Sequence, residues 1–291
     1  MDTISNRFYE GERPLYGSKN LKLDNVKFYP GESALKEAAN IESDNCTFMC
    51  KYPFWHNDNS IIKNSLFTVY SRAAIWHSKN IRMIDSVVEA PKMFREVDGI
   101  ELENVKFPNA GETLWSCRNI KIKNVEAKEA PYIFMNCVNI EIEGFKLQGD
   151  YSFDGAKNIV IKNAYLDSKD AFWKTENVTV YNSVIIGEYL GWHSKNLRLV
   201  NCKIGGEQPL CYCTDLVLEN CEFMDDCNLS FEYSSVNAEI TNHIISVKNP
   251  LSGVIKAKSI GEIILDENYR NPGACEIIET GECVKEECDA I

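Results

Sequence analysis

The sequence predicts an all-β protein, a parallel β-helix of about 12 coils with three strands in each, on three observations. A nine-residue phrase, written most plainly as Asn196-Leu-Arg-Leu-Val-Asn201-Cys-Lys-Ile204, recurs from Asn20 onward at intervals of 19 to 21 residues, and a fixed period of this length is the mark of a solenoid. In most copies apolar residues hold the second, fourth, seventh and ninth places, as Ile120, Ile122, Val125 and Ala127 do, and alternation with a period of two means strand. The sixth place breaks the alternation with Asn, Asp or Gly, from Asn25 through Asn104 and Gly144 to Asn220, residue types that accept left-handed backbone angles.

Residues 1–19 hold no full copy and are expected to cap the open end, since terminal repeats are atypical. Copies begin at Asn20, Asn40, Asn59, Asn80, Gly99, Asn119, Asn139, Asn158, Asn177, Asn196 and Asp215. Each supplies two short strands meeting at the sixth-place turn, and the ten or so residues that follow supply a third, more variable strand. Stacked coils would hydrogen-bond about 4.8 Å apart, bringing equivalent asparagines into ladders along the axis. A leucine-rich repeat has a similar period, but the intervening residues, Tyr132-Ile-Phe-Met-Asn-Cys137 among them, carry no helical spacing. The coils are expected over 20–245; residues 246–291, with Asn249-Pro250 and Asn271-Pro272-Gly273, read as a last coil and C-terminal cap of the same domain.

The net charge of -12, with 43 acidic against 31 basic residues, argues against a nucleic-acid partner, which needs a basic face. No apolar run approaches the roughly 20 residues that cross a bilayer, and Met1-Asp2-Thr3-Ile4-Ser5 opens no secretion signal, so the expectation is a cytoplasmic protein without a membrane partner. Twelve cysteines are then expected as reduced, buried side chains, with Cys117 stacked on Cys137 and Cys202 on Cys221. Cys283 and Cys288 lack nearby histidines, and no cofactor or metal is expected.

Function is sought in the third strand. Five residues before each copy stand Phe54, Ile75, Phe94, Leu114, Phe134, Phe153, Phe172, Gly191 and Leu210, an inward column. Four residues before stand Trp55, Trp76, Arg95, Trp115, Met135, Asp154, Trp173, Trp192 and Cys211, which by alternation point outward and include all five tryptophans. Outward tryptophans mark a surface meant to be covered, by sugar rings, another subunit or the chain's own tail, whereas a bulge shifting the alternation by one would bury them. Seven or eight residues before each copy lie Lys51, Arg72, Lys92, Glu112, Lys169, Asp170, Glu188 and Gln208, basic early and acidic late. Asp170 and Glu188, on adjacent coils about 5 Å apart with Asp154 a coil below, have the spacing of a glycosidase carboxylate pair. Crowding raises carboxylate pKa values, and Lys169, Lys174 and His193 stand close enough to tune them; the bland alternative is a solvated face with ion pairs between coils. His56 and His77 offer two imidazoles on neighbouring coils with no evident third metal ligand.

The repeat length and asparagine ladders, over roughly residues 20–265, resemble the pectin-lyase-like right-handed β-helix superfamily. That resemblance implies a right-handed coil and a class whose lyases, polygalacturonases, esterases and tailspikes work on glycans along one face. The phrases Lys51-Tyr-Pro-Phe-Trp55, Ala90-Pro-Lys-Met-Phe-Arg95, Tyr151-Ser-Phe-Asp-Gly155, Lys169-Asp-Ala-Phe-Trp173, Gly187-Glu-Tyr-Leu-Gly-Trp192 and Phe231-Glu-Tyr233 are similar to those of a bacterial family of single-domain β-helix proteins, which implies the fold and no activity. The Asn-Thr-Asp, Gly-His-Gly and Arg-Ile-Lys motifs of polygalacturonases are not in the chain, so no catalytic residue carries over.

The expectation is a protein that binds or processes a carbohydrate on its third-strand face. Asp154, Asp170 and Glu188 are the acid and base candidates, for glycoside hydrolase- or lyase-like chemistry if there is catalysis. Trp55, Trp76, Trp115, Trp173 and Trp192 are the stacking platforms; Lys51, Arg72, Lys92 and Arg95 would hold an anionic group, with Glu112, Lys169 and His193 beside them. Two alternatives stay open: a non-catalytic scaffold whose aromatic face joins copies of itself or a protein partner, and an enzyme acting on a small anionic metabolite held by the basic cluster.

Overall fold

The computed structural model describes residues 1–281. Its strands stack in parallel, each coil on the last: Lys79–Ile84 lies between Asp58–Lys63 and Asp98–Glu103, with Ile81 paired to both Ser60 and Ile100. The fold is a right-handed parallel β-helix. It has about 15 turns, more than the 12 read from the phrase. The difference lies at the ends. Asp2–Ser5 and Phe8–Glu12 pair with Lys19–Asp24 and Lys27–Glu32, and Ser235–Lys248, Ser252–Ile264 and Cys275–Glu279 pair in succession after the last clear copy. A coil needs backbone pairing and inward apolar residues; it does not need the asparagines by which the phrase was recognised.

The inward places are sealed. Leu21, Leu23, Val26 and Phe28 of the first copy are all buried, as are their equivalents up the stack. Because equivalent residues lie one coil rise apart, the aromatic ones stack in files: Phe28 on Phe48 at 5.2 Å, Phe48 on Phe67 at 4.5 Å, and Phe134, Phe153 and Phe172 at successive separations of 4.7 and 5.2 Å. Burying a Phe stabilises by about 1.5–3 kcal/mol, and the first file fills the core under the second strands while the second fills it under the third side.

Two asparagine ladders run along the surface. At the sixth place Asn201 donates its amide to Asn182 at 3.0 Å and receives one from Asn220 at 2.8 Å; at the first place Asn139, Asn158, Asn177 and Asn196 are linked at 2.9–3.1 Å. Residues at both places are left-handed, Asn196 and Asn201 each with φ of 53°. Gly144 replaces Asn at one rung, where an added Cβ would come within 2.8 Å of the Asn124 amide oxygen.

The third side departs from the expectation of three strands per coil. Among the described residues only Ile75–Trp76 and Phe94–Arg95 pair there as strands, with an isolated bridge from Arg95 to Trp115. In the later coils every second residue is left-handed, as Asp170, Phe172 and Lys174 are at 53°, 64° and 52°. Coil-to-coil hydrogen bonds persist, Lys174 N–H to Trp192 carbonyl at 2.9 Å and Gly155 N–H to Trp173 carbonyl at 2.9 Å, so the backbone stays satisfied although it is not pleated. Left-handed non-glycine residues cost about 1–2 kcal/mol each, a strain the buried phenylalanines offset.

Candidate functional site: the aromatic third side

The five tryptophans are half-buried and point outward. Four are tied down by their indole N–H, which donates to a carbonyl of the next coil: Trp55 to Ala73 at 2.6 Å, Trp76 to Lys92 at 2.9 Å, Trp115 to Tyr132 at 2.7 Å and Trp192 to Gln208 at 3.3 Å. In the early half the ring faces between neighbouring coils are taken from Trp55 to Trp115. Trp55 and Trp76 stack at 5.4 Å and 9°, and the Arg95 guanidinium is sandwiched between Trp76 at 4.3 Å and Trp115 at 4.7 Å. Trp115 carries Arg95 on one face, and among the described residues no ring or cation covers the other, toward Met135.

Trp173 differs. Among the described residues nothing accepts its indole N–H, and its aromatic neighbours, Trp192 at 5.6 Å and His193 at 6.0 Å, belong to the following coil. On the preceding two coils the column carries Asp154 and Met135 instead of aromatic rings, so the stripe is interrupted between Trp115 and Trp173. The backbone changes in the same stretch: the column five residues before each copy is extended at Ile75 and Phe94 and left-handed from Leu114 onward.

The charges sort into pairs. Glu112 holds both Lys92 at 2.9 Å and Arg95 at 3.3 Å, engaging two of the four proposed anion-binding cations and cancelling one of their charges; Lys51 and Arg72 are exposed. Lys169 and Glu188 pair at 2.9 Å on exposed side chains. Asp170 is different in kind: its residue is 2% exposed and its Oδ1 is buried without a hydrogen-bond partner. Burial pushes its pKa up, against the pull of Lys169 and of the Tyr151 hydroxyl beside it. Asp154, half-buried, is also raised by burial, opposed only by Lys174. Asp170 and Glu188 therefore lie on adjacent coils with unlike surroundings, one sealed and one solvated, while Asp154 sits four places before its copy in the tryptophan column and feels neither.

Some neighbours were missed from the sequence. Tyr132 and Tyr151 stack at 4.9 Å and 8° along the edge of the interrupted stretch. Beyond Trp192 the stripe continues through Tyr212 at 5.3 Å and Tyr233 at a further 5.3 Å, closed by the Arg270 guanidinium 4.1 Å above the Tyr233 ring. The column holding His193, one place after the tryptophans, would have shown Tyr212 and Tyr233; Arg270 belongs to a coil with no recognisable phrase. His56 and His77 stack at 5.2 Å, and Glu96 takes the Nδ1 of His77 at 3.1 Å, but among the described residues no group of three His, Cys, Asp or Glu could hold a metal.

Two clefts lie on the other two sides. A cleft of about 510 Å³ over the first strands is lined by Arg82, Glu101, Lys121 and Glu141, and one of about 660 Å³ over the second strands by Lys106, Lys146, Tyr165 and the asparagine ladder. The first is crossed by ion pairs, Arg82 to Glu101 at 3.5 Å and Lys123 to Glu103 at 2.9 Å, and neither is lined by tryptophan. The aromatic side is a ridge with an interruption in it.

A family model matches residues 2–278, nearly the whole chain. The chain belongs to the family described as "Protein of unknown function (DUF3737)". The DUF3737 chain is similar to several solved structures. It is similar to the A-module of a mannuronan C-5 epimerase from Azotobacter vinelandii (11% identity, 96% of this chain and 91% of that one, TM-score 0.37) and to PfbA, a surface adhesin of Streptococcus pneumoniae (10%, 91% and 85%, 0.41). It is also similar to the catalytic unit of a GH87 α-1,3-glucanase from Streptomyces thermodiastaticus (10%, 96% and 62%, 0.37). No curated protein matches the DUF3737 chain in sequence.

Proposed function

We propose that this protein binds a carbohydrate along its third side, at the interruption between Trp115 and Trp173. One observation carries the reading: Trp173 is the only indole of the stripe, among the described residues, with neither its N–H bonded nor its Asp154-facing side covered by a ring. An amphipathic ring held on a rigid scaffold, with an unused donor at its edge, is suited to the apolar face and the hydroxyls of a sugar. The early indoles, stacked on one another and on Arg95, stiffen the solenoid instead.

Titration calorimetry against a panel of oligosaccharides tests this. Trp173→Ala is expected to weaken binding by tenfold or more, and Trp76→Ala to leave it within about twofold provided the variant folds. Absence of binding to any glycan, or equal losses in the two folded variants, sinks the reading. The occupied ring faces of the early half favour a second reading, a scaffold whose stripe docks another protein; mass-measured association that Trp173→Ala abolishes, without glycan binding, would decide for it.

A further inference from the structure

The first coil of the solenoid lacks a covering layer. Among the described residues Asp2–Ser5 pairs only with Lys19–Asp24 and Phe8–Glu12 only with Lys27–Glu32, so the outer backbone edge of both strands meets no other strand. The core shows the same lack. Ile4, Tyr9 and Leu15 hold inward places and are only half-buried, whereas Leu23, Phe28 and Leu35, which fill those places one coil on, are sealed. Phe8 and Tyr16 beside them are exposed. A free strand edge over an open core is a template for another chain.

The charges at this end select the partner. Two inward places of the first coil hold charged residues: Asp2 stands level with Leu21 and Arg7 with Val26, both apolar and buried one coil on. Asp2 and Arg7 are exposed, and among the described residues neither takes part in an ion pair, while Arg13 is already held by Glu12 at 3.0 Å. A lone charge on an edge strand repels a second copy of itself, but one free charge of each sign on the same face is complementary to that face turned about a twofold axis. The face is also large enough. Residues 1–18 make up one coil, close to the roughly 20–30 residues a side and about 800 Å² per partner of a stable interface. We infer that two copies of this chain join end to end through their first coils about a twofold axis, Asp2 of each set against Arg7 of the other and Ile4, Tyr9 and Leu15 covered between them. The tryptophans begin at Trp55, beyond this contact, and stay uncovered in both copies.

The test follows the 291-residue chain by sedimentation and small-angle X-ray scattering over a range of concentrations. A reversible dimer is expected whose longest dimension is about twice that of one copy, from about 70 Å for some 15 turns to about 140 Å, with the cross-section unchanged. Arg7→Asp and Asp2→Arg each leave like charges facing one another and are expected to weaken the dimer tenfold or more. Mixing these two variants, or exchanging both charges in one chain as Asp2→Arg with Arg7→Asp, is expected to restore it, an outcome that a misfolded variant could not give. Trp173→Ala is expected to leave the dimer intact, which separates it from association through the aromatic stripe. A monomer at every concentration overturns the inference, the two charges then only guarding the edge. So does a dimer with a widened cross-section, growth past two copies into filaments, or a dimer that Trp173→Ala abolishes and the charge variants do not.

Discussion

At the scale of single residues, Asp170 stands apart because its burial and its missing partner act on the same carboxyl. A buried carboxyl that keeps its proton avoids the larger cost of a buried charge. The sign of the linkage follows. The folded chain holds this proton more tightly than the unfolded chain, whose aspartate titrates near 3.9, so stability is fully present below that value and declines as pH rises through the raised folded pKa. Asp170→Asn removes the titration and keeps the shape: its denaturation midpoint, followed by urea unfolding between pH 4 and 8, is expected to fall less with rising pH than that of the wild type. Parallel pH profiles would show that the Asp170 pKa is not raised by folding. Only the residue type and its column were legible in the sequence. That Asp170 is sealed and Glu188 solvated was not, because neighbouring places on the bent third side do not alternate as they do in a pleated strand.

At the scale of elements, the asparagine ladders unite backbone angle and side-chain bonding in one residue. Asn158 accepts from Asn177 at 3.1 Å and donates to Asn139 at 3.0 Å while sitting at φ 57°. Asn158→Ala loses two exposed amide bonds and meets left-handed strain, about 1–3 kcal/mol together; Asn158→Gly loses the bonds alone and should cost about half as much. Chemical denaturation of the two variants separates the contributions, and equal losses would mean that the angle costs nothing. The sixth-place ladder was readable because it interrupts a strong alternation. The third side was not: Ile75-Trp76 and Phe94-Arg95 look like their later equivalents in sequence, yet they are extended where Leu114, Phe134, Phe153 and Phe172 are left-handed. An apolar residue facing a core is satisfied by either geometry.

At the scale of the molecule, a solenoid buries its core by stacking, so thiols distributed along the chain report on one continuous interior. Among the described residues ten cysteines are free, nine of them buried; burial pushes Cys46 up to about 11 and Cys50, Cys213 and Cys227 up to about 12. Cys117 and Cys137 are in contact, with the Cys117 N–H 3.3 Å from the Cys137 sulfur. Cys283 and Cys288, expected as a poor metal site, lie outside the described residues. Thiolates are the reactive form, so iodoacetamide at pH 7.5 followed by peptide mapping should leave Cys46, Cys50, Cys213 and Cys227 unlabelled in the native protein and label them together in urea. Labelling of one end before the other would reveal stepwise unfolding along the axis instead.

By itself the sequence determined the solenoid, its period, the inward files and the turns, because each is repeated about a dozen times and the repeats must agree to share one core. It did not determine the number of turns, since the end coils pair through backbone without the phrase. Tertiary structure alone decided which tryptophans are spent on one another and which is left uncovered. That outcome depends on what stacks one coil above and one coil below, residues some twenty positions away: Arg95 closes the gap between two indoles, and Met135 with Asp154 leaves one open.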